Sequence, residues 1–130
     1  MAKTVLLVDD DPSWQFNYEE ILSDEGYNVI IVGNKEDAMN TIAQDKFDIA
    51  IIDLRLVDSD PKNKDGIDVV ATLRRVLPRI PIIVKSGYLD LDTKERLKTL
   101  EIDNKSILDK LDEQEQRQKL IVLLRTILDT

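Results

Sequence analysis

The sequence contains no cysteine and no histidine. Disulfides, thiol nucleophiles, imidazole general bases and zinc sites with Cys or His ligands are therefore excluded, and chemistry has to run on carboxylates, hydroxyls, lysines or a hard metal. Positive charge is in deficit, with 18 Lys and Arg against 26 Asp and Glu, a net charge of −8 and a pI near 4.5. Phosphate backbones and anionic membranes would be repelled, so no direct nucleic-acid or membrane binding is expected; a basic partner surface or a bound cation suits the chain better. No apolar run approaches a membrane span, and the one inside MAKTVLLVDDD is too short even for a signal peptide. The expected location is cytoplasmic. Internal repeats, linkers and low-complexity tails are also missing. The 130 residues, 42% of them hydrophobic, fit one domain over 1–130 with a real core.

What is present is a series of short apolar runs that stop at polar residues. The most telling is FDIAIIDLR, Phe47 to Arg55, in which Ile49 to Ile52 read as a strand buried on both faces and ended by Asp53. Thr4 to Val8 is a similar run, ended by Asp9, Asp10 and Asp11. Asp11 before Pro12 reads as a helix cap with proline at the first position, and Trp14, Tyr18, Ile21 and Leu22 give an amphipathic helix closed near Gly26. Asn28 to Val32 is the next strand. Ala38, Met39, Ile42 and Ala43 line a second helix, and the central strand is expected from Phe47.

Past Arg55, LVDSDPKNKDG reads as a loop reaching Asp65 and Gly66. Ile67, Val70, Leu73 and Leu77 mark a third helix, stopped by Pro78. Pro81 to Val84 is the fourth strand, ending at Lys85, Ser86 and Gly87. Asp92 with Glu95, and Asp112 with Glu115, have capping-box spacing for two further helices around a short strand, Ser106 to Leu108, which leads to Asp109 and Lys110. Leu97 and Leu100 give the fourth helix only a thin apolar stripe, whereas Leu120, Leu123, Leu124, Ile127 and Leu128 give the last a full one. Alternation of five strands with five helices predicts an α/β fold, a parallel sheet covered on both faces. Asp9, Asp10, Asp53, Ser86 and Lys110 then share one rim.

Three carboxylates meeting at one point repel each other, and a divalent cation is the usual way to hold them together. Oxygen-only ligands favour Mg2+. A carboxylate beside that metal can attack phosphorus, with the Ser86 hydroxyl and the Lys110 ammonium holding phosphoryl oxygens. Taken singly, each feature has a plainer reading. An acidic run caps a helix or faces solvent, a lone lysine is a solvated charge, and Ser86 before glycine is a turn. Trp14 and Tyr18 read as core or interface residues. Asp58 and Asp60 invite a calcium loop, but aligning Gly66 with the EF-hand glycine puts Pro61 at the first ligand position.

VLLVDDDP, IAIIDLRL, a DG before the third helix, PIIVKSG and LDK stand in this order along nearly the whole chain. The pattern resembles the receiver domain of two-component response regulators, the CheY-like superfamily. That resemblance implies a flavodoxin-like (βα)5 doubly wound sheet of order 2-1-3-4-5. Carried over by position, it makes Asp9 and Asp10 the acidic pair, with Asp10 binding magnesium directly, and makes Asp53 the phosphoacceptor. Arg55 offers a backbone carbonyl to the metal, and Ser86 and Lys110 take the hydroxyl and lysine roles. The implied donor is a histidine kinase or histidine phosphotransfer protein. Implied output runs through the face of helix four, strand five and helix five to an effector protein or domain, with a homodimer as another use of that face. No enzymatic activity is implied beyond self-catalysed phosphotransfer and autodephosphorylation.

The chain departs from the family pattern in four places. The loop 54–65 is longer than usual, with Val57 where proline is common. Ile107 replaces the aromatic switch residue. Leu111 replaces the proline after the lysine, so the expected cis peptide is absent. Lys85 stands where a buried apolar residue is typical, with no role legible in the sequence. Arg55 and Tyr88, bulky residues at positions that tune dephosphorylation, imply a long-lived phosphorylated state. Two other functions compete: a pseudo-receiver that docks without phosphorylation, and a phosphatase. For the latter, Asp9 to Ser13 fits DxDx(S/T) and resembles the haloacid dehalogenase type, but this leaves Asp53 unexplained.

Overall fold

A computed structural model of the chain describes residues 2–54, 65–86, 91–103, 106–109 and 113–128. Strand β1 (Thr4–Val8) leads into helix α1 (Pro12–Asp24), followed by β2 (Asn28–Val32), α2 (Lys35–Gln44), β3 (Ile49–Asp53) and α3 (Asp65–Val76). Then come β4 (Ile82–Ser86), α4 (Leu91–Thr99), β5 (Ile107–Asp109) and α5 (Glu113–Leu128). The strands form one parallel sheet of order β2-β1-β3-β4-β5, the flavodoxin-like arrangement expected. No described helix is long and apolar enough to cross a membrane.

Period-two alternation divides each strand between two helical layers. Leu6, Val8, Ala50, Ile52, Ile82 and Val84 pack with Ala38, Ile42, Val70, Leu73 and Leu97 from α2, α3 and α4. Val5, Leu7, Ile49, Ile51, Ile83 and Leu108 pack on the other face with Tyr18, Ile21 and Leu22 of α1 and Leu120 and Leu124 of α5. Each fully buried Val, Leu or Ile among them contributes about 1.5–3 kcal/mol. Because α1 and α3 lie on opposite faces, a crevice opens between the carboxyl ends of β1 and β3. That is the point at which the strand order reverses.

Local chemistry sets the helix starts. Asp11 caps α1 by accepting from the Ser13 amide at 2.8 Å, and Asn34 caps α2 by accepting from the Asp37 amide at 2.8 Å. Several boundaries differ from those read in the sequence. The central strand begins at Ile49, with Phe47 half-buried before it, and β4 runs on through Lys85 and Ser86. Ala43 is exposed and Thr41 buried, because a helix turns about 100° per residue and position 43 leaves the stripe of 38, 41 and 42. Helix α4 starts at Leu91, so Asp92 lies within its first turn, while Asp112, the cap expected for α5, lies outside the described residues.

Gly66, in the first turn of α3, is where that helix meets β3. A Cβ there would come closer than 3.0 Å to the Asp53 carbonyl oxygen and to Leu54 backbone atoms, which have no freedom to move aside. Gly66→Ala is expected to push α3 off the end of β3 and to destabilise the fold by about 1–3 kcal/mol. The urea midpoint checks this, and an unchanged midpoint would mean that α3 is not seated where its backbone contacts put it.

Candidate functional site

Strand ends bring the carboxylates together. Asp9 and Asp10 follow β1, and Asp53 ends its neighbour β3, so adjacent parallel strands deliver them to one rim. Oxygens of Asp9, Asp10 and Asp53 lie within 4.8 Å of one another. Asp9 and Asp53 are fully buried, and Asp10 is half-buried. An all-oxygen set at this spacing fits a hard divalent cation rather than a soft one.

Asp9 is fixed from several directions. Its amide donates to the Val32 carbonyl at 3.1 Å, its Oδ1 accepts from the Asp11 amide at 3.0 Å, and its carbonyl accepts from the Gln15 side chain. Its Oδ2 accepts from the Lys85 ammonium in an ion pair wholly buried from solvent. Strand parity explains the meeting. Asp9 is in phase with Leu7, Asp53 with Ile51 and Lys85 with Ile83, and those three apolar residues all face α1 and α5. Lys85 is also the register partner of Asp53 across β3 and β4.

Two rings complete the surroundings. The Lys85 Nζ lies 4.5 Å from the Trp14 ring centroid and 4.4 Å from that of Tyr18, within cation–π range of both. The rings meet edge to face at 5.8 Å, as their i, i+4 spacing on α1 allows. Burial, and then the Asp9 and Asp53 carboxylates, push the Tyr18 phenol far above its ordinary range, so it stays protonated.

Of the residues singled out in the sequence, Asp9, Asp10 and Asp53 converge, and Ser86 is buried at the end of β4, next to the strand that carries Asp53. Arg55, Tyr88, Lys110, Leu111 and most of the long loop lie outside the described residues. Ile107 opens β5 half-buried and faces a groove of about 430 Å³ lined also by Leu91, Leu97 and Ile102. The sequence reading missed the clamp of Lys85, Trp14 and Tyr18 on Asp9. Its signal was present in the phase of Lys85 with Ile83 and in the i, i+4 spacing of the two aromatics.

Residues 5–122 match the family model of the response regulator receiver domain. The chain is 34% identical to the cell cycle transcriptional regulator CtrA of Caulobacter vibrioides over 90 residues, 69% of this chain and 37% of that protein. It is 29% identical to the transcriptional regulatory protein ZraR of Escherichia coli K12 over 100 residues, 76% of this chain and 22% of that one. It thus spans well under half the length of these relatives. In fold it resembles a CheY-like response regulator receiver domain protein from Methanospirillum hungatei, with TM-score 0.85 and 23% identity over 99% of this chain and 95% of the other.

The Tyr18 hydroxyl is buried and accepts or donates no hydrogen bond among the described residues. Tyr18→Phe keeps the ring over Lys85 and removes the unsatisfied group, so stability is expected to rise by about 1 kcal/mol in urea melts. A loss of that size would show that the hydroxyl has a partner in solution.

Proposed function

The chain belongs to the response regulator receiver domain family, and from that premise we propose that it is a phosphoacceptor signalling domain in which Asp53 takes a phosphoryl group from a histidine kinase or histidine phosphotransfer protein. The observation that carries this reading is the convergence of Asp9, Asp10 and Asp53 oxygens within 4.8 Å at the switch point of the sheet. With no histidine in these 130 residues, the donor imidazole lies on another protein or domain.

An Asp53 oxygen forms the new bond to phosphorus as the P–N bond to the donor breaks, and the imidazole nitrogen keeps the electron pair and takes up a proton. Asp9, Asp10 and Asp53 would hold magnesium, together with the Arg55 carbonyl that the family pattern implies, and the metal would supply neutralisation of charge on the phosphoryl oxygens. In this reading the Ser86 hydroxyl and the Lys110 ammonium would hold those oxygens. The buried position of Ser86 one strand away from Asp53 supports its part.

Family membership supports a cytoplasmic signalling role over 1–130 as a single receiver domain, with no enzymatic turnover of its own beyond phosphotransfer and autodephosphorylation. It also supports an effector protein or domain as the partner of the α4-β5-α5 face, and a homodimer as another use of that face. Neither nucleic acid nor membrane is a direct partner in this reading. One observation favours the second reading, a docking module that works without phosphorylation. Ile107 places an aliphatic side chain in β5 where a rotating ring would carry the usual signal.

Intact mass after incubation with magnesium and a small-molecule phosphodonor separates the two. Gain of one phosphoryl group by the wild type and none by Asp53→Ala is expected; no gain by a folded wild type would leave the docking module. Replacing both Arg55 and Tyr88 with alanine is expected to speed loss of the phosphoryl group, because in this reading bulk at both positions would obstruct the attacking water. The decay rate of the labelled protein measures this, and an unchanged rate would remove the shielding role.

A further inference from the structure

Lys85 is a charged group at the site that the proposed chemistry does not use. Its side chain is wholly buried on β4, its ammonium donates to Asp9, and the Trp14 and Tyr18 rings stand at 4.5 and 4.4 Å from its nitrogen. An ammonium out of water is costly unless a counter-charge and polarisable surface replace its hydration, and here a carboxylate and two π faces do so. Such an arrangement places a fixed positive charge inside the acidic cluster itself.

We infer that Lys85 is a resident counter-ion of the magnesium site. It holds the cluster together when no metal is bound, and it lowers the affinity for magnesium by neutralising Asp9. This inference rests on the reading of Asp9, Asp10 and Asp53 as a magnesium site. Two observations carry it. First, both Asp9 carboxylate oxygens already accept a hydrogen bond inside the protein, Oδ1 from the Asp11 amide and Oδ2 from Lys85, so the Asp9 charge is compensated before any metal arrives. Second, the three carboxylates together with the Lys85 ammonium carry two negative charges rather than three, so a divalent cation is drawn in by a weaker field. Much of the repulsion that metal binding would otherwise relieve has already been relieved by Lys85. Binding and folding are therefore less tightly linked in this chain than in a cluster without the lysine.

The test is magnesium affinity, read by Trp14 fluorescence and by calorimetric titration, together with melting curves in chelator and in magnesium. Lys85→Met keeps the length and apolar stem of the side chain and removes the charge. It is expected to bind magnesium at least about tenfold more tightly than the wild type. It is also expected to melt lower in chelator and to gain more from added magnesium. If it folds only with the metal present, the dependence of its melting temperature on magnesium concentration reads the same affinity. The double variant Lys85→Met with Asp9→Asn removes both charges of the pair, and its affinity is expected to return toward the wild-type value.

Tighter binding by Lys85→Met with reversal in the double variant supports the counter-ion role. Equal affinity of wild type and Lys85→Met overturns it and leaves the magnesium site standing. Equal tightening in the single and double variants also overturns it, since the gain would then not come from the charge on Asp9. No magnesium binding by either the wild type or Lys85→Met overturns the magnesium reading, and this inference with it.

Discussion

The architecture turns on a repulsion that has to be cancelled where three carboxylates meet at the rim of a dry sheet. Two of them, Asp9 and Asp53, have no contact with bulk solvent, so water cannot screen them. The buried pair of Asp9 with Lys85 supplies an internal counter-charge. Breaking such a pair from one side typically costs about 3–5 kcal/mol, because the remaining charge is left uncompensated. The surroundings follow from keeping that pair dry and aligned. Trp14 and Tyr18 roof the ammonium, the N-terminal turn of α1 supplies the Asp11 amide to Asp9, and Gln15 holds the Asp9 carbonyl from the same helix. Helix α1 is thus tied to the end of β1 by polar contacts as well as by its apolar stripe.

The same parity rule explains both what was legible in the sequence and what was not. Asp9 and Asp53 stood out because each ends an apolar run, and a charge that ends a buried strand has only the rim to occupy. The strand order and the covering of both sheet faces followed from alternation and from the motif resemblance, and the structure has both. Lys85 was legible only in part. A lysine beside a serine and a glycine reads as the start of a loop, so the strand was expected to end at Val84. The structure carries it through Ser86 because a buried counter-charge lets the lysine remain in the sheet. Ala43 was misplaced for a simpler reason. Composition alone does not say on which side of a two-residue apolar step a helix stripe closes, and Thr41 closes it here. Gly66 was visible as part of a DG motif, but its backbone proximity to Asp53 and Leu54 is a tertiary fact with no local signature.

Strand β4 is the element through which the site reaches the rest of the sheet. Lys85 is in register with Asp53 on one side and with Leu108 on the other, and Val84 is in register with Ile107. A change in charge at Asp53 therefore acts first on a strand that also forms the floor beneath α4. Under the receiver reading, an aliphatic Ile107 has no ring to rotate between an inward and an outward position. What it does have is contact with the core layer shared by α2, α3 and α4, and a groove bordered by Leu91, Leu97 and Ile102. Helix α4, which borders that groove, buries only Thr93 and Leu97. A helix with so little buried surface is weakly held, and weakly held elements are the ones a small change in a neighbouring strand can move.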